Sequence, residues 1–174
     1  MILQNKDKKT WKELQLNPKG LTNNTFSDLQ FPGGTFFIDK NTNFLINKST
    51  GMLINEKDLN KFINAHPIFL FTSTLRGSGA SIQDIFDLLD YDVNNGPMLG
   101  QCNMSFDSPI RIGQKYKVDG KIISLNEKDS KKLGKIKILD FILSLFDESQ
   151  SQIASVNYIW ILIQLDYLGW ERVQ

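Results

Sequence analysis

The stretch 96–125, GPMLGQCNMSFDSPIRIGQKYKVDGKIISL, decides the fold of this chain. It predicts a strand, a turn and a second strand. Pro109 and Gly113 mark the turn, because proline lacks a backbone N–H and glycine accepts a positive φ, so both residues end or bend strands. The second extended run begins at Tyr116 and reaches Leu125. The rest of the chain is therefore expected to pack against a sheet.

Two further strands are predicted at 136–146 and 154–165, and both are apolar on their two faces. A strand with one solvated face alternates apolar and polar residues. These strands are therefore expected to be covered on both sides, by a helix on one side and by a terminal arm or a partner chain on the other. The polar segment 147–152 is interpreted as their hairpin loop, and the lysine-rich segment 128–135 as a solvated hairpin tip. The order predicts a four-strand antiparallel meander.

Two helices are predicted ahead of these strands. The first begins at an N-cap, Asn55, carries one apolar stripe and ends near Ala65, because Pro67 disfavours helical backbone in the residue before it. The second runs over 82–89 behind Ser81, whose side chain can cap it.

The remaining segments are short or irregular. Residues 1–35 are polar and rich in Asn and Lys, and they predict an arm over the surface, or a partly ordered tail, ahead of a single domain at 36–174. Residues 67–71 are a compact apolar run, followed by a small, glycine-containing loop at 72–81. Short extended segments are predicted at 35–38, 43–46 and 51–54.

Composition bounds the class of protein. With 174 residues, 41% of them hydrophobic and 22% charged, the chain can bury the core of one domain and is not disordered. Its net charge of +1 gives no electrostatic argument for nucleic acid or a membrane surface. No run of about 18 apolar residues predicts a membrane span, and the N-terminus lacks a signal peptide. The single cysteine, Cys102, excludes an internal disulfide and a cysteine-based metal site, so no metal and a cytoplasmic location are expected.

Three pieces of the sequence resemble the MaoC-like dehydratase family. Residues 99–110, LGQCNMSFDSPI, align without gaps on the family's strand ending in RPL, and residues 111–114 sit where the family has its glycine turn. Residues 55–65 with 67–69 look like the family's first helix and the proline segment after it, and 153–163 look like its closing strand. The chain is most similar to the N-terminal dehydratase half of (R)-specific enoyl-CoA hydratases and mesaconyl-CoA hydratases.

The resemblance implies an α+β protein with the hot-dog fold, a curved antiparallel sheet wrapped around a central helix. It also implies binding of an acyl-CoA thioester, with coenzyme A as part of the substrate and no separate cofactor, and hydration or dehydration as the chemistry. The expected partner is a hot-dog chain, in a homodimer or in a heterodimer with another hot-dog chain, and closed twofold dimers are the commonest oligomers. No nucleic acid and no membrane is expected as a partner.

The catalytic pair of the family is not evident in this chain. Active hydratases of the family use a closely spaced Asp and His to hold and activate the water that adds to the enoyl double bond. The only histidine here is His66, and Asp58 precedes it by eight residues, which is too far for that spacing. Leu99 and Gln101 occupy the family's other histidine and acidic positions, and Gln114 replaces the aspartate of the turn.

His66 is the candidate catalytic residue, with Asn64 beside it. It would act as a general base or as a hydrogen-bonding group for the substrate, and such groups must lie within hydrogen-bond reach of the atoms they serve. The alternative is a histidine at the C-terminal end of a helix, where the helix dipole favours its positive charge.

Four residues are candidates for substrate binding. Gly100, Gln101 and Asn103 either line an acyl tunnel or are ordinary strand residues. Arg76 begins the sequence RGSG, which either binds a phosphate of coenzyme A through loop N–H groups ahead of a helix or is a flexible loop. Cys102 is interpreted as a small buried hydrophobe.

Several functions stay open from the sequence. The first is a hydratase or dehydratase, or a subunit of one. The second is a non-catalytic half that pairs with a catalytic hot-dog chain. A thioesterase on the same fold would need a buried carboxylate, Asp84 or Asp87, near the central helix, although the acidic residues here are typical of a solvated helix face. The last is a lipid- or small-molecule-binding module.

Overall fold

A computed structural model of the chain describes Trp11, residues 26–52, Asn55, Lys57 and residues 63–163. Its helices and strands, in chain order, are β1 (Gly34–Phe37), α1 (Lys40–Ser49), α2 (Ile68–Gly77), α3 (Ile82–Leu88), β2 (Met98–Phe106), β3 (Lys115–Ser130), β4 (Gly134–Phe146) and β5 (Gln152–Ile163). Within the described ranges, no helix is long and apolar enough to cross a membrane.

The strands of the described residues form one antiparallel sheet in the order β1-β3-β4-β5-β2. β3, β4 and β5 follow one another as a meander, but β2 pairs with β5 at the far side of the sheet. The predicted four-strand meander is therefore wrong for β2. The physical reason is that β3 gives its two edges to β4 and β1, so β2 takes the free edge of β5.

The two faces of the sheet differ in burial. On one face, which we call the helix face, α2 packs against fully buried side chains of β4 and β5, namely Leu139, Phe141, Leu143, Leu145, Val156, Tyr158 and Leu162. On the other face, the open face, the two strands present half-buried isoleucines, namely Ile138, Ile142, Ile159 and Ile161. The expected cover is present on the helix face, and no second cover closes the open face in the described part of the chain.

The first helix, α1, occupies the place where an extended segment was predicted at 43–46, and that prediction is wrong. Asp39 caps this helix by accepting a hydrogen bond from the Thr42 N–H at 2.9 Å. Phe44 then lies on the buried stripe of the helix. The cap accepts a hydrogen bond from an N–H that has no partner within the first turn of the helix. This stabilisation outweighs the modest helix propensity of the Asn and Thr residues around it.

The central element is α2, IFLFTSTLRG, where an apolar run and a small loop were predicted. The prediction of a loop at 72–81 is wrong for its first half. Threonine and glycine are weak helix formers, but tertiary packing overrides propensity here. One stripe of α2 is buried in the domain, made of Phe69, Leu70, Ser73, Thr74 and Gly77.

The helix α3 confirms the second predicted helix. The Ser81 Oγ accepts a hydrogen bond from the Asp84 N–H at 3.0 Å, and the Asp84 carboxylate accepts one from the Ser81 N–H at 2.7 Å. This reciprocal arrangement is a capping box. The first predicted helix, 55–65, falls mostly outside the described residues. At its predicted end the chain is not helical, because the Ala65 N–H donates to the Ile110 carbonyl at 2.7 Å.

The described part of the N-terminal arm lies along β3. The Asp28 N–H donates to the Ile122 carbonyl and the Phe31 N–H donates to the Gly120 carbonyl, both at 2.9 Å. The Phe31 ring lies 5.6 Å from that of Phe141, between centroids, and is followed by Trp11 at 5.0 Å. These residues of the arm therefore contribute to the core of the domain.

Candidate functional site

A buried polar contact joins α2 to the middle of the sheet. The Tyr158 hydroxyl donates to the Phe71 carbonyl at 2.7 Å and lies 3.0 Å from the Thr74 Oγ1. Thr74 in turn donates to the Leu70 carbonyl at 2.7 Å. Burial raises the pKa of the Tyr158 phenol well above its ordinary value, so it stays a neutral donor. Tyr158 thus fixes the distance between α2 and β5.

A strip of apolar side chains on β2 lies next to Tyr158. Cys102 is directly opposite Tyr158 in the pairing of β2 with β5, so the two side chains share the helix face. Tyr158 is fully buried, whereas the β2 residues on the same face are exposed. Leu99 is 52% exposed, and Met104 and Phe106 are each 43% exposed. We call this surface, formed by Leu99, Cys102, Met104 and Phe106, the β2 groove. Tyr158 lies at its inner side, and the four side chains offer an exposed apolar contact surface.

Cys102 lies half-buried in the β2 groove. Burial raises the pKa of its thiol, so the neutral thiol is favoured over the reactive thiolate. In this setting Cys102 contributes a small apolar surface.

His66 lies just ahead of α2 rather than at the end of a preceding helix. The Ile68 N–H donates to its Nδ1 at 3.2 Å, and the Phe69 N–H donates to its carbonyl at 3.0 Å. The interpretation of His66 as a C-terminal helix residue is therefore wrong, because residues 63–66 are not helical and His66 precedes the first turn of α2. Pro67 permits this arrangement, since the first turn of a helix needs no N–H from it.

The tautomer of His66 follows from its contact with Ile68. Because Nδ1 accepts a hydrogen bond, it carries no proton, and in the neutral ring the proton lies on Nε2. His66 as a residue is half-buried, and Nε2–H is the side-chain donor that its neutral ring retains. His66 in this state can donate a hydrogen bond to a ligand, whereas a general base would need a free lone pair.

The polar group that holds the backbone of His66 is Asn43, which the sequence did not single out. Asn43 is fully buried, and its Oδ1 accepts a hydrogen bond from the His66 N–H at 2.8 Å. Among the residues that the structure describes, its Nδ2 has no hydrogen-bond partner. The signal that could have revealed it is the Asp39–Thr42 cap, which predicts a helix that turns Asn43 inward.

Asn64 lies close to His66, in a short segment paired with the loop between β2 and β3. Asn64 forms an isolated antiparallel bridge with Arg111, and the Ile112 N–H donates to the Ile63 carbonyl at 2.9 Å. The Asn64 side chain is exposed. The two candidate catalytic residues, Asn64 and His66, therefore both lie in the segment just ahead of α2.

The candidate binding residues on β2 lie on the other side of the sheet. Gln101 pairs with Ile159 and Asn103 pairs with Asn157, so both side chains are on the open face, away from α2. Gly100 is the extra residue of a bulge next to Gln101. The sheet therefore separates Gln101 and Asn103 from His66.

Arg76 and the sequence RGSG lie at the C-terminal end of α2. Arg76 is exposed and eight residues after Ile68, about 12 Å along the helix axis at 1.5 Å per residue. Ser78 is buried, and its carbonyl accepts a hydrogen bond from the Gly33 N–H at 2.8 Å. The Asp84 carboxylate already occupies the start of the next helix. This segment is packed rather than flexible, and Arg76 is remote from His66.

The carboxylates considered for a thioesterase are held elsewhere. Asp84 belongs to the capping box of α3. Asp87 is exposed, and its Oδ1 accepts a hydrogen bond from Gln83 Nε2 at 2.7 Å. Neither is a buried carboxylate aimed at α2.

Comparisons with known proteins bear on the fold. No protein-family model and no curated protein sequence matches the chain. Among solved structures, the chain is similar to the C-terminally truncated HadBC (3R-hydroxyacyl-ACP dehydratase) complex from Mycobacterium tuberculosis, with 12% identity over 78% of this chain and 96% of that chain and a TM-score of 0.59. It is also similar to the MaoC-like dehydratase from Rhodospirillum rubrum, with 10% identity over 80% and 93% of the two chains and a TM-score of 0.54.

A third similar structure is the (R)-hydratase from A. caviae, with 9% identity over 82% of this chain and 97% of that chain and a TM-score of 0.51. All three match the antiparallel sheet with helices of this chain. At these identities the likeness concerns the path of the backbone. The sheet order, the position of α2 and these similar structures together show that the chain has the hot-dog fold.

Proposed function

We propose that this chain binds an acyl thioester as a MaoC-like hot-dog protein, and that hydration or dehydration of the acyl group is its chemistry. The observation that carries the proposal is the exposed apolar surface of the β2 groove next to Tyr158, whose hydroxyl bonds to Phe71 of α2. An acyl chain would lie on Leu99 and Met104 of the groove, with Tyr158 limiting its depth. Apolar clefts with a few polar groups at one end are typical of sites for such ligands.

In this proposal His66 acts as a hydrogen-bond donor. Its Nε2–H would bind the thioester carbonyl or the reacting water, while Nδ1 stays engaged with the Ile68 N–H. A preorganised donor aimed at developing negative charge lowers the activation barrier of such reactions. One such donor typically raises the rate by about 100- to 1,000-fold. Asn43 supports this role by holding the backbone of His66.

A second candidate function is supported by what surrounds His66. Its hydrogen-bond partners within the described ranges are an amide oxygen and backbone groups rather than a carboxylate. A hydratase of the usual type would need that carboxylate. This observation favours a non-catalytic half whose catalytic residues come from another hot-dog chain, and the similar HadBC structure is that of a complex.

The experiment is hydration of crotonyl-CoA and mesaconyl-CoA by the purified chain, followed as loss of the enoyl absorbance. We expect wild-type turnover and a loss of about 100-fold in His66→Ala, from the usual contribution of one such donor. Asn103→Ala is the matched control, because Asn103 lies on the open face and its loss should leave the rate unchanged.

Calorimetric binding of crotonyl-CoA separates the two candidates. Binding without turnover would support the non-catalytic half. Cys102→Phe should then weaken binding, because the larger ring fills the β2 groove beside Tyr158. A chain that neither binds nor hydrates either thioester would contradict both candidates.

A further inference from the structure

The residues beside the β2 groove on the next strand, β5, are buried. Cys102 lies opposite Tyr158, and Met104 lies opposite Val156. Tyr158 and Val156 are fully buried. The residues beyond them on the same face of β4 are fully buried as well, namely Leu139, Phe141, Leu143 and Leu145. The apolar surface of the helix face therefore changes from exposed to buried at the border between β2 and β5.

Tyr158 fills the space between the sheet and α2 at this border. Its backbone belongs to β5, whereas its hydroxyl donates to the Phe71 carbonyl of α2 at 2.7 Å and lies 3.0 Å from the Thr74 Oγ1. The side chain thus reaches from one layer to the other. Any movement of the ring away from this position would cost both of these buried contacts, so they hold the ring in place.

The space behind Tyr158 is filled by other aromatic rings. Phe141 stacks on Tyr158 with the centroids 4.9 Å apart and the planes at 19°, and the Phe71 ring lies 5.3 Å from that of Tyr158. Phe31 follows Phe141 at 5.6 Å, and Trp11 follows Phe31 at 5.0 Å. Protein interiors packed in this way contain few voids larger than a water molecule. A ligand chain that enters from the β2 groove therefore stops at Tyr158.

The width of the groove sets how much of a ligand is covered before this stop. Neighbouring strands lie about 4.8 Å apart, so a carbon chain that crosses from β2 toward the core reaches β5 after that distance. With bonds of about 1.5 Å in a zigzag, the distance corresponds to about four carbon atoms. Further carbons would stay on the exposed surface of the groove, with one side in water. They would therefore add little to binding.

We propose that Tyr158 is the chain-length determinant of this protein and restricts its ligands to short acyl groups, of about four carbon atoms. This inference deepens the proposed function, on which it rests for the identity of the ligand as an acyl thioester. The filled space at Tyr158 is testable without a thioester.

Calorimetric binding of butyryl-CoA, hexanoyl-CoA and octanoyl-CoA tests the length limit in the native chain. Each methylene group that leaves water completely tightens binding by about fourfold, so four of them would lower the Kd of octanoyl-CoA about 200-fold below that of butyryl-CoA. We expect a ratio below about 15-fold, because carbons with one side in water gain at most half of that free energy. A larger ratio would overturn the length limit and still uphold the proposed function.

Tyr158→Ala tests the residue itself. The ratio between octanoyl-CoA and butyryl-CoA should become about 15-fold larger than in the wild type, as expected for two newly buried methylene groups. Tyr158→Phe keeps the ring and should keep the wild-type ratio. Ile85→Ala removes a buried side chain of α3 and is the control for lost stability alone, with the wild-type ratio expected. An unchanged ratio in Tyr158→Ala would overturn the assignment, and Tyr158→Leu takes its place if that variant does not fold.

A probe without coenzyme A separates this inference from the proposed function. An apolar cavity made by removing a large core side chain binds benzene, and a ligand that binds only the folded state raises Tm. Benzene should therefore raise the Tm of Tyr158→Ala and leave that of the wild type unchanged. The same response in both chains would overturn the filled space at Tyr158. A response in Tyr158→Ala alone, in a chain that binds none of the three thioesters, would uphold the filled space and contradict the proposed function.

Discussion

Replacement of Gly77 by alanine tests how closely α2 approaches β3. A Cβ at this position would lie 2.5 Å from the Val118 Cγ2 and 3.3 Å from its Cβ. Cβ contacts under 3.0 Å are essentially never found in real structures, so a side chain must move. Val118 is fully buried between the strands and α2 and has little room to do so.

Two opposing effects decide the sign of the change. Alanine in a helix is favoured over glycine by about 1 kcal/mol. Overpacking of a well-filled core costs about 1–3 kcal/mol, and the clash at Gly77 belongs to the severe end of that range. We therefore expect Gly77→Ala to lower the free energy of unfolding by about 1–2 kcal/mol, which lowers Tm by roughly 2–8 °C for a domain of this size.

The assay is urea unfolding followed by far-ultraviolet circular dichroism, in wild type and in a Val118→Ala background. Val118→Ala removes the Cγ2 that the new Cβ would strike. In that background Gly77→Ala should be neutral or stabilising by up to about 1 kcal/mol, because only the helix preference remains. A stabilising effect of Gly77→Ala in the wild type would refute the packing, and it is what a flexible RGSG loop would give.

Two further predictions concern single hydrogen-bonding groups. Tyr158→Phe should lower the free energy of unfolding by about 0.5–1.5 kcal/mol, because the half-buried Phe71 carbonyl loses one of its donors; a change under about 0.5 kcal/mol in urea unfolding would contradict this contact. Asp39→Asn should make the free energy of unfolding fall less steeply as the pH is lowered in the acid range. Hydrogen bonds from Thr42 lower the pKa of Asp39 below 3.8, so its contribution is present above that pH and is lost as the pH falls through the lowered value. Thermal unfolding at a series of pH values measures this, and an unchanged limb would show that the cap does not form.

The local elements could be predicted from the sequence, because their signals lie within a few residues. Ser81 and Asp84 are three residues apart, and their reciprocal bonds depend on nothing else in the chain. The strands around Cys102 and Tyr158 were likewise predicted from apolar patterns. The pairing of β2 with β5 could not be predicted, because strand order depends on which edges other strands leave free.

The candidate site was harder to predict, because tertiary packing decides it. Pro67 was interpreted as the end of a preceding helix, although it equally suits the start of α2. That interpretation placed His66 at the C-terminal end of a helix, whereas it lies at the N-terminal end of α2. Asn43 and Thr74 are buried polar residues, and their roles depend on partners 23 and 84 residues away in the chain. Sequence patterns cannot supply such partners.

The arm along β3 has a consequence for the order of events during synthesis. The ion pair between Asp28 and Lys121 joins residues 93 positions apart. At translation rates of about 5–20 residues per second, the arm waits roughly 5–20 s for its partner strand to be made. Phe26, Leu29 and Phe31, which are buried in the finished domain, have no β3 to cover them in that interval. The arm is thus made before β3 but packs only after β3 has been made, and its apolar side chains stay exposed in the nascent chain until then.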